Sequence, residues 1–171
     1  KPVMFTNDVV NAAEKSLAAA LKDHPEGKQV PQTVYYLAES LYAQEKKKEA
    51  EPLYARFVAD FAEDALAPDA LYAHGVVLEE LGKSEQARTA YAEFVRRYPE
   101  NGLRVEVDVR RADLLAAAGD AAGAEPLFAA AAQSADYPDA DYALLRQAGC
   151  RYDLKQFAGA AELYEALLTR F

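Results

Sequence analysis

The small and aromatic residues of this chain recur with the spacing of one helix face and, over a longer distance, with a fixed period. In residues 84–99 the apolar positions Ala87, Tyr91 and Phe94 lie on one stripe of a helix that ends before Pro99. The small residue of this stripe recurs at intervals of 37, 37, 37 and 36 residues, at Ala13, Ala50, Ala87, Ala124 and Ala160. A fixed period of this length is typical of a helical solenoid.

A second series of small residues, spaced by 37, 37 and 36, predicts another helix ahead of each stripe: Ala38, Gly75, Ala112 and Ala148. Pro31 and Pro68 suit the first turn of such helices, and Gly82 and Gly119 suit their ends. We therefore predict first helices, called A, at roughly 31–44, 68–81, 104–118 and 139–153. Second helices, called B, are predicted at roughly 47–61, 84–97, 121–134 and 157–171, and one more B helix precedes Pro25.

The pattern of residues in each helix pair resembles the tetratricopeptide repeat. The shared features are a small residue within helix A, glycine at its end, alanine early in helix B, an aromatic residue four positions later and a closing proline. The clearest copy is 74–99, followed by 34–61 and 110–132, with 144–168 weaker. The resemblance implies an all-α fold, a right-handed α-solenoid of antiparallel helix pairs with about nine helices. The longer period, about three residues above the usual ~34, resembles bacterial envelope proteins such as YbgF and BamD.

The chain departs from the family pattern just before the small residue of helix A. The family usually has a large apolar residue there, and Leu37 fits, but the later repeats carry His74, Arg111 and Gln147. Two interpretations remain open for these repeats: the helices are rotated, or their packing is lined by polar side chains.

We interpret residues 1–171 as one array of repeats, with units at approximately 1–30 (partial), 31–67, 68–104, 105–140 and 141–171. The first helix has no A partner, and the last helix ends in an apolar stripe. Repeat arrays normally finish with a polar outer face. We therefore expect the chain to be a segment of a longer protein whose ends meet another copy or fray.

Composition and charge exclude several classes of function. A net charge of −9 disfavours a nucleic-acid partner and an anionic membrane surface, and no apolar run is long enough to insert into a bilayer. His24 and His74 fall in different elements, and Cys150 has no histidine near it in sequence. We predict a soluble protein that is not an enzyme, with no catalytic residues, cofactor or metal site. The resemblance allows a location in the bacterial periplasm or envelope.

The surface of the A helices is the candidate binding site, because the resemblance places these helices on the concave face. Six of the eleven tyrosines lie on A helices, and tyrosine gives rigid contact area with a polar tip. The predicted groove for a protein or peptide partner comprises Tyr35, Tyr36, Glu39, Tyr42, Tyr72, Val76, Glu79, Arg110, Arg146 and Tyr152. Further non-core positions on the same helices are Glu80, Asp113 and Tyr142.

Two alternatives stay open for this groove. Several of the tyrosines would simply pack between adjacent A helices, and Arg110 would pair with Glu106 or Asp113 of its own helix.

The function predicted is a protein–protein interaction scaffold that binds a partner segment in the groove. The alternative function is a structural or oligomerisation module of a larger bacterial envelope assembly, with contacts, including self-association, made through the ends of the solenoid.

Overall fold

The computed structural model describes residues 7–25 and 27–170, and within these ranges it contains nine α-helices and no strand. The eight predicted A and B helices are confirmed to within one residue at their described ends, and Phe171, predicted to end the last, lies outside the described residues. The helices are α1 (Asn7–Asp23), α2 (Val30–Ala43), α3 (Lys47–Asp60), α4 (Ala67–Glu80), α5 (Ser84–Arg97), α6 (Arg104–Ala117), α7 (Ala121–Gln133), α8 (Ala140–Asp153) and α9 (Phe157–Arg170). The A helices are α2, α4, α6 and α8.

The chain divides into two compact units, Lys1–Ala90 and Tyr91–Phe171. In the first unit, α1 packs against α2, α2 against α3, and α3 against α4. Its core brings Ala38 and Leu41 of α2 together with Ala50 and Tyr54 of α3 and with Val77 of α4. Because each helix buries its apolar stripe against its neighbour in sequence, this unit is built from local pairings.

The second unit follows the same scheme. Here α6 packs against α7, α7 against α8, and α8 against α9. Its core contains Ala112 of α6, Ala124 and Phe128 of α7, and Ala143 and Leu144 of α8. Phe128 is fully buried, at the position that Tyr54 occupies in the first unit, so the two cores use the same register.

The small residues of both series are buried, as their spacing predicts, except for Ala13 of α1, which is only partly buried. A small side chain lets a neighbouring helix approach closely, which is why the period is carried by alanine and glycine. The buried members are Ala38, Gly75, Ala112 and Ala148 on the A helices and Ala50, Ala87, Ala124 and Ala160 on the B helices.

Each A helix ends in the same backbone geometry. The predicted glycines Gly82 and Gly119 have φ angles of +73° and +83°, and Glu45 and Lys155 take the equivalent place with φ angles of +60° and +64°. In each case the following N–H donates to the carbonyl five residues earlier, at 2.8–2.9 Å, which closes the helix end. The sequence predicted only the two glycines, because nothing in the residue type marks the other two positions.

Candidate functional site

Tyr42 and Glu80 join the two A helices of the first unit. The Tyr42 hydroxyl donates to Glu80 Oε1 at 3.0 Å, and Lys47 Nζ lies 3.4 Å from Glu80 Oε2. Burial raises the pKa of Tyr42, and its hydrogen bond to Glu80 raises it further. The contact places α2 and α4 side by side, so that their outward side chains share one surface.

Tyr35 and Tyr36, although adjacent in sequence, have different surroundings. The ring of Tyr35 makes edge-to-face contacts with Tyr54 and Phe57, with centroids 6.4 and 5.9 Å apart, and burial raises its pKa. Tyr36 is 51% exposed and makes an edge contact with Tyr35 at 5.3 Å. Tyr35 therefore contributes largely to packing, whereas Tyr36 offers a free ring surface.

The remaining candidates of the first unit differ in how much surface they present. Glu39 accepts a hydrogen bond from the hydroxyl of the buried Tyr54. Tyr72 and Glu79 are half-buried on α4. Val76 is buried and adds little to the surface.

In the second unit, Asp113 joins the A helices α6 and α8. It accepts a hydrogen bond from the Tyr142 hydroxyl at 2.8 Å, and Arg146 Nη2 lies 3.0 Å from its Oδ1. The Arg146 guanidinium also lies over the rings of Phe128 and Tyr142, 5.3 and 5.8 Å from their centroids. Arg146 of α8 therefore links its own helix to α6 and to α7.

Arg110 follows the second alternative raised by the sequence, an ion pair within its own helix. Its Nε lies 3.0 Å from Glu106 Oε1, and the Tyr137 hydroxyl donates to the other oxygen of the same carboxylate at 3.2 Å. Tyr152, by contrast, is exposed and makes an edge contact with Phe157 at 5.2 Å.

The polar residues that depart from the family pattern bond with acidic side chains. His74 Nε2 lies 3.4 Å from Glu51 Oε1, and Gln147 Nε2 donates to Glu125 Oε1 at 2.7 Å. Burial lowers the pKa of His74, and its contact with Glu51 partly opposes that effect. In α4 and α8, therefore, the helix packing is lined by polar contacts with the preceding B helix.

Sequence reasoning missed the exposed apolar residues Leu145 and Phe157. For Leu145 the sequence did hold a signal of exposure, because Leu145 lies two helical turns before the predicted site residue Tyr152 and so on the same helix face. Leu145 falls in the register of Val109, which is buried, and this register masked its exposure.

Over the described ranges, 7–25 and 27–170, no group of His, Cys, Asp and Glu side chains is arranged to hold a metal ion. No helix in the same part of the chain has both the length and the apolar character needed to cross a bilayer.

Sequence models of the tetratricopeptide repeat match residues 32–64, 69–101 and 109–171, well over half of the chain. The chain belongs to the tetratricopeptide repeat family. No curated protein matches its sequence.

Several solved structures share the fold of this chain, two of them described as tetratricopeptide repeat proteins. A tetratricopeptide repeat protein from Parabacteroides merdae matches at a TM-score of 0.78 and 20% identity, covering 94% of this chain and 60% of its own. The protein YrrB, described as a tetratricopeptide repeat protein with an unusual peptide-binding site, matches at a TM-score of 0.74 and 20% identity. The match covers 95% of this chain and 79% of YrrB. MamA matches at a TM-score of 0.77 and 14% identity, and the match covers 97% of this chain and 94% of MamA. These likenesses confirm the predicted fold class, an all-α solenoid of the tetratricopeptide type.

Proposed function

We propose that this chain is a non-catalytic scaffold that binds a segment of a partner protein across its A helices. Tetratricopeptide repeats generally mediate protein–protein interaction, and repeat arrays do so through extended surfaces. The observation that carries the proposal is the Tyr42–Glu80 contact, because it sets two A helices side by side with tyrosine and carboxylate groups at their surface.

The first unit supplies the larger share of the proposed surface. Tyr36 offers a ring face for apolar or cationic side chains, and Glu39 and Glu79 add carboxylates beside Tyr42 and Tyr72. This chemistry suits an extended or helical segment with basic and apolar residues. In the second unit Arg110 and Arg146 are engaged in ion pairs within the chain, so they would act there by holding neighbouring side chains in place.

The test is affinity capture on the immobilised chain, followed by calorimetry with the captured partner and paired variants. Tyr36→Ala combined with Tyr72→Ala should weaken binding about tenfold or more, since aromatic contacts dominate such interfaces. Arg88→Ala, on the exposed side of a B helix, is the control and should bind normally. Helicity measured by circular dichroism must stay unchanged in both variants. Equal affinity for the double variant and the control would refute this site.

A second candidate function has an observation of its own. Apolar side chains are exposed on the last two helices, including Leu145 and Tyr152 on α8 and Phe157 and Leu168 on α9. Patches of this kind are usually covered by a partner. This favours a structural or self-associating module of a larger assembly, and a bacterial envelope or periplasmic location belongs to this candidate. A mass that rises with concentration in light scattering would support it.

A further inference from the structure

The turn that leads into α6 is closed by hydrogen bonds to both oxygens of Asn101. The N–H of Leu103 donates to the side-chain Oδ1 at 2.9 Å, and the N–H of Arg104 donates to the main-chain carbonyl at 2.9 Å. The N–H of Asn101 donates in turn to the Tyr98 carbonyl at 3.2 Å. The N–H of Gly102 takes no part in these three bonds, and Gly102 is exposed. The turn therefore holds the amide of Asn101 beside a main-chain nitrogen that the turn itself does not use.

The corresponding turn of the preceding repeat, thirty-seven residues earlier, has the same bonds around an aspartate. The N–H of Leu66 donates to Asp64 Oδ1 at 2.9 Å, and the N–H of Ala67 donates to the Asp64 carbonyl at 3.0 Å. Ala65 stands there in the place of Gly102. At Gly102 an added Cβ atom would meet nothing within 4 Å, and the backbone has no positive φ. The geometry of this turn therefore requires neither an amide nor a glycine.

The pair Asn101–Gly102 brings together the two groups that react when an asparagine loses its amide. A glycine has no side chain to hinder the approach of its main-chain nitrogen to the preceding side chain. We propose that Asn101 deamidates spontaneously, with the main-chain nitrogen of Gly102 as the nucleophile. This nitrogen forms a bond to Asn101 Cγ, the bond from Cγ to Nδ2 breaks, and Nδ2 leaves as ammonia with the proton of the Gly102 N–H. The N–H of Leu103, which already donates to Oδ1, stabilises the negative charge that develops on this oxygen.

Water then opens the cyclic imide in one of two ways, and the two products differ in their effect on the turn. Attack at Cγ gives an aspartate, which should keep the turn, because Asp64 accepts the same two bonds one repeat earlier. Its new negative charge lies near the N-terminus of α6, where the helix dipole favours it. Attack at the main-chain carbon gives an isoaspartate, whose main chain is one carbon longer and runs through the former side chain. The carbonyl that receives the Arg104 N–H then becomes a side carboxylate, so the first turn of α6 should loosen.

Incubation of the folded chain at mildly alkaline pH, followed by tryptic digestion and mass spectrometry, tests the proposal. Cleavage after Arg97 and Arg104 releases the segment 98–104, which should gain one mass unit at a rate within several-fold of that of the free peptide of the same sequence. Asn11, exposed on α1 and followed by an alanine, is the internal comparison and should react several-fold more slowly. Loss of ammonia from the free peptide but not from the folded chain would overturn the proposal, and so would equal rates at Asn101 and Asn11.

Two variants test the nucleophile and the consequence separately. Gly102→Ala, which copies the earlier turn, should slow the reaction several-fold and leave the urea midpoint unchanged. An unchanged rate in this variant would exclude the nitrogen of Gly102 as the nucleophile. Asn101→Asp reproduces the added charge without the longer main chain, so it is the control for the chromatographically separated isoaspartate form. Hydrogen exchange over residues 104–107 should be several-fold faster in the isoaspartate form than in this control, and equal exchange would overturn the predicted loosening of α6. Partner binding enters none of these measurements, so their failure would leave the proposed function standing.

Discussion

Lys155 adopts the left-handed backbone conformation that Gly119 adopts one repeat earlier, with φ angles of +64° and +83°. The residue after each donates its N–H to the carbonyl five positions before it, at 2.9 Å in both cases. A Cβ atom in this conformation crowds the following carbonyl oxygen, which costs roughly 1–2 kcal/mol for a residue other than glycine. The fold imposes this conformation on Lys155 because the helix must end there.

Replacing Lys155 by glycine should therefore stabilise the chain. The relief of strain is partly offset by the greater freedom of glycine in the unfolded chain, which leaves a gain of about 0.5–1 kcal/mol. Gly119→Ala is the converse variant. A Cβ at Gly119 meets nothing within 4 Å, so its loss of about 1 kcal/mol would be purely conformational. Urea unfolding measures both, and midpoints that move in the same direction would contradict the argument.

Ala124→Leu should destabilise the chain by roughly 1–3 kcal/mol, because the added carbons must enter a filled core. Ala124 is fully buried in the cluster that contains Ala112 and Phe128. The control is the same change at the exposed Ala122 on the same helix, which should alter the free energy of unfolding by less than about 0.5 kcal/mol. If chemical denaturation finds equal losses for the two variants, the packing register proposed for α7 is wrong.

Glu125→Ala should cost about 1–3 kcal/mol, because it leaves the buried amide of Gln147 without its acceptor. The same carboxylate oxygen accepts from Arg151 Nε at 2.9 Å, but that side chain reaches solvent and can be hydrated. Adding Gln147→Leu, the type of residue the family usually has here, should restore most of the lost stability. A double-mutant cycle in urea measures the coupling between Glu125 and Gln147. A coupling energy near zero would show that the hydrogen bond does not stabilise the α7–α8 packing.

The stability of the chain should fall between about pH 7.5 and pH 5.5 in a way that depends on His74. Burial lowers the pKa of His74 in the folded chain below its ordinary value of 6.5. In this pH range the unfolded chain therefore binds more protons than the folded chain does. The stability that depends on a neutral His74 is complete above the ordinary pKa of 6.5 and is lost as the pH falls below it. Glu51, which faces His74 and also pairs with Lys83, keeps its charge across the same range, because its pKa lies below the ordinary value despite its partial burial.

The measurement is the difference in unfolding free energy between the two pH values for the unchanged chain and for His74→Gln. Glutamine has no proton to gain, and Gln147 already bonds to a glutamate at the equivalent place. The pH-dependent loss should therefore shrink in this variant, and His24→Gln, at an exposed position, should leave it unchanged. An identical pH dependence in all three chains would exclude His74 as its source.

Over the described residues, the sequence by itself determined the number and order of the helices and, to within one residue, the described ends of the eight A and B helices. It could do so because the repeat period, the small residues at close helix contacts and the helix-ending glycines Gly82 and Gly119 are local properties of the chain. In the second unit α7 packs on its neighbours in sequence, α6 and α8, so its buried stripe, with Ala124 and Phe128, follows from helical periodicity alone.

The tertiary structure alone decided which surface side chains are free. Neighbouring helix positions differ by roughly 100° in direction, and only the packed helices show that Tyr35 points into the aromatic core while Tyr36 faces solvent. The sequence likewise left the partners of Arg110 open, and the fold pairs it with Glu106. Only the path of the chain places Lys155 in a left-handed conformation, because that angle is imposed by the helix end and not by the residue.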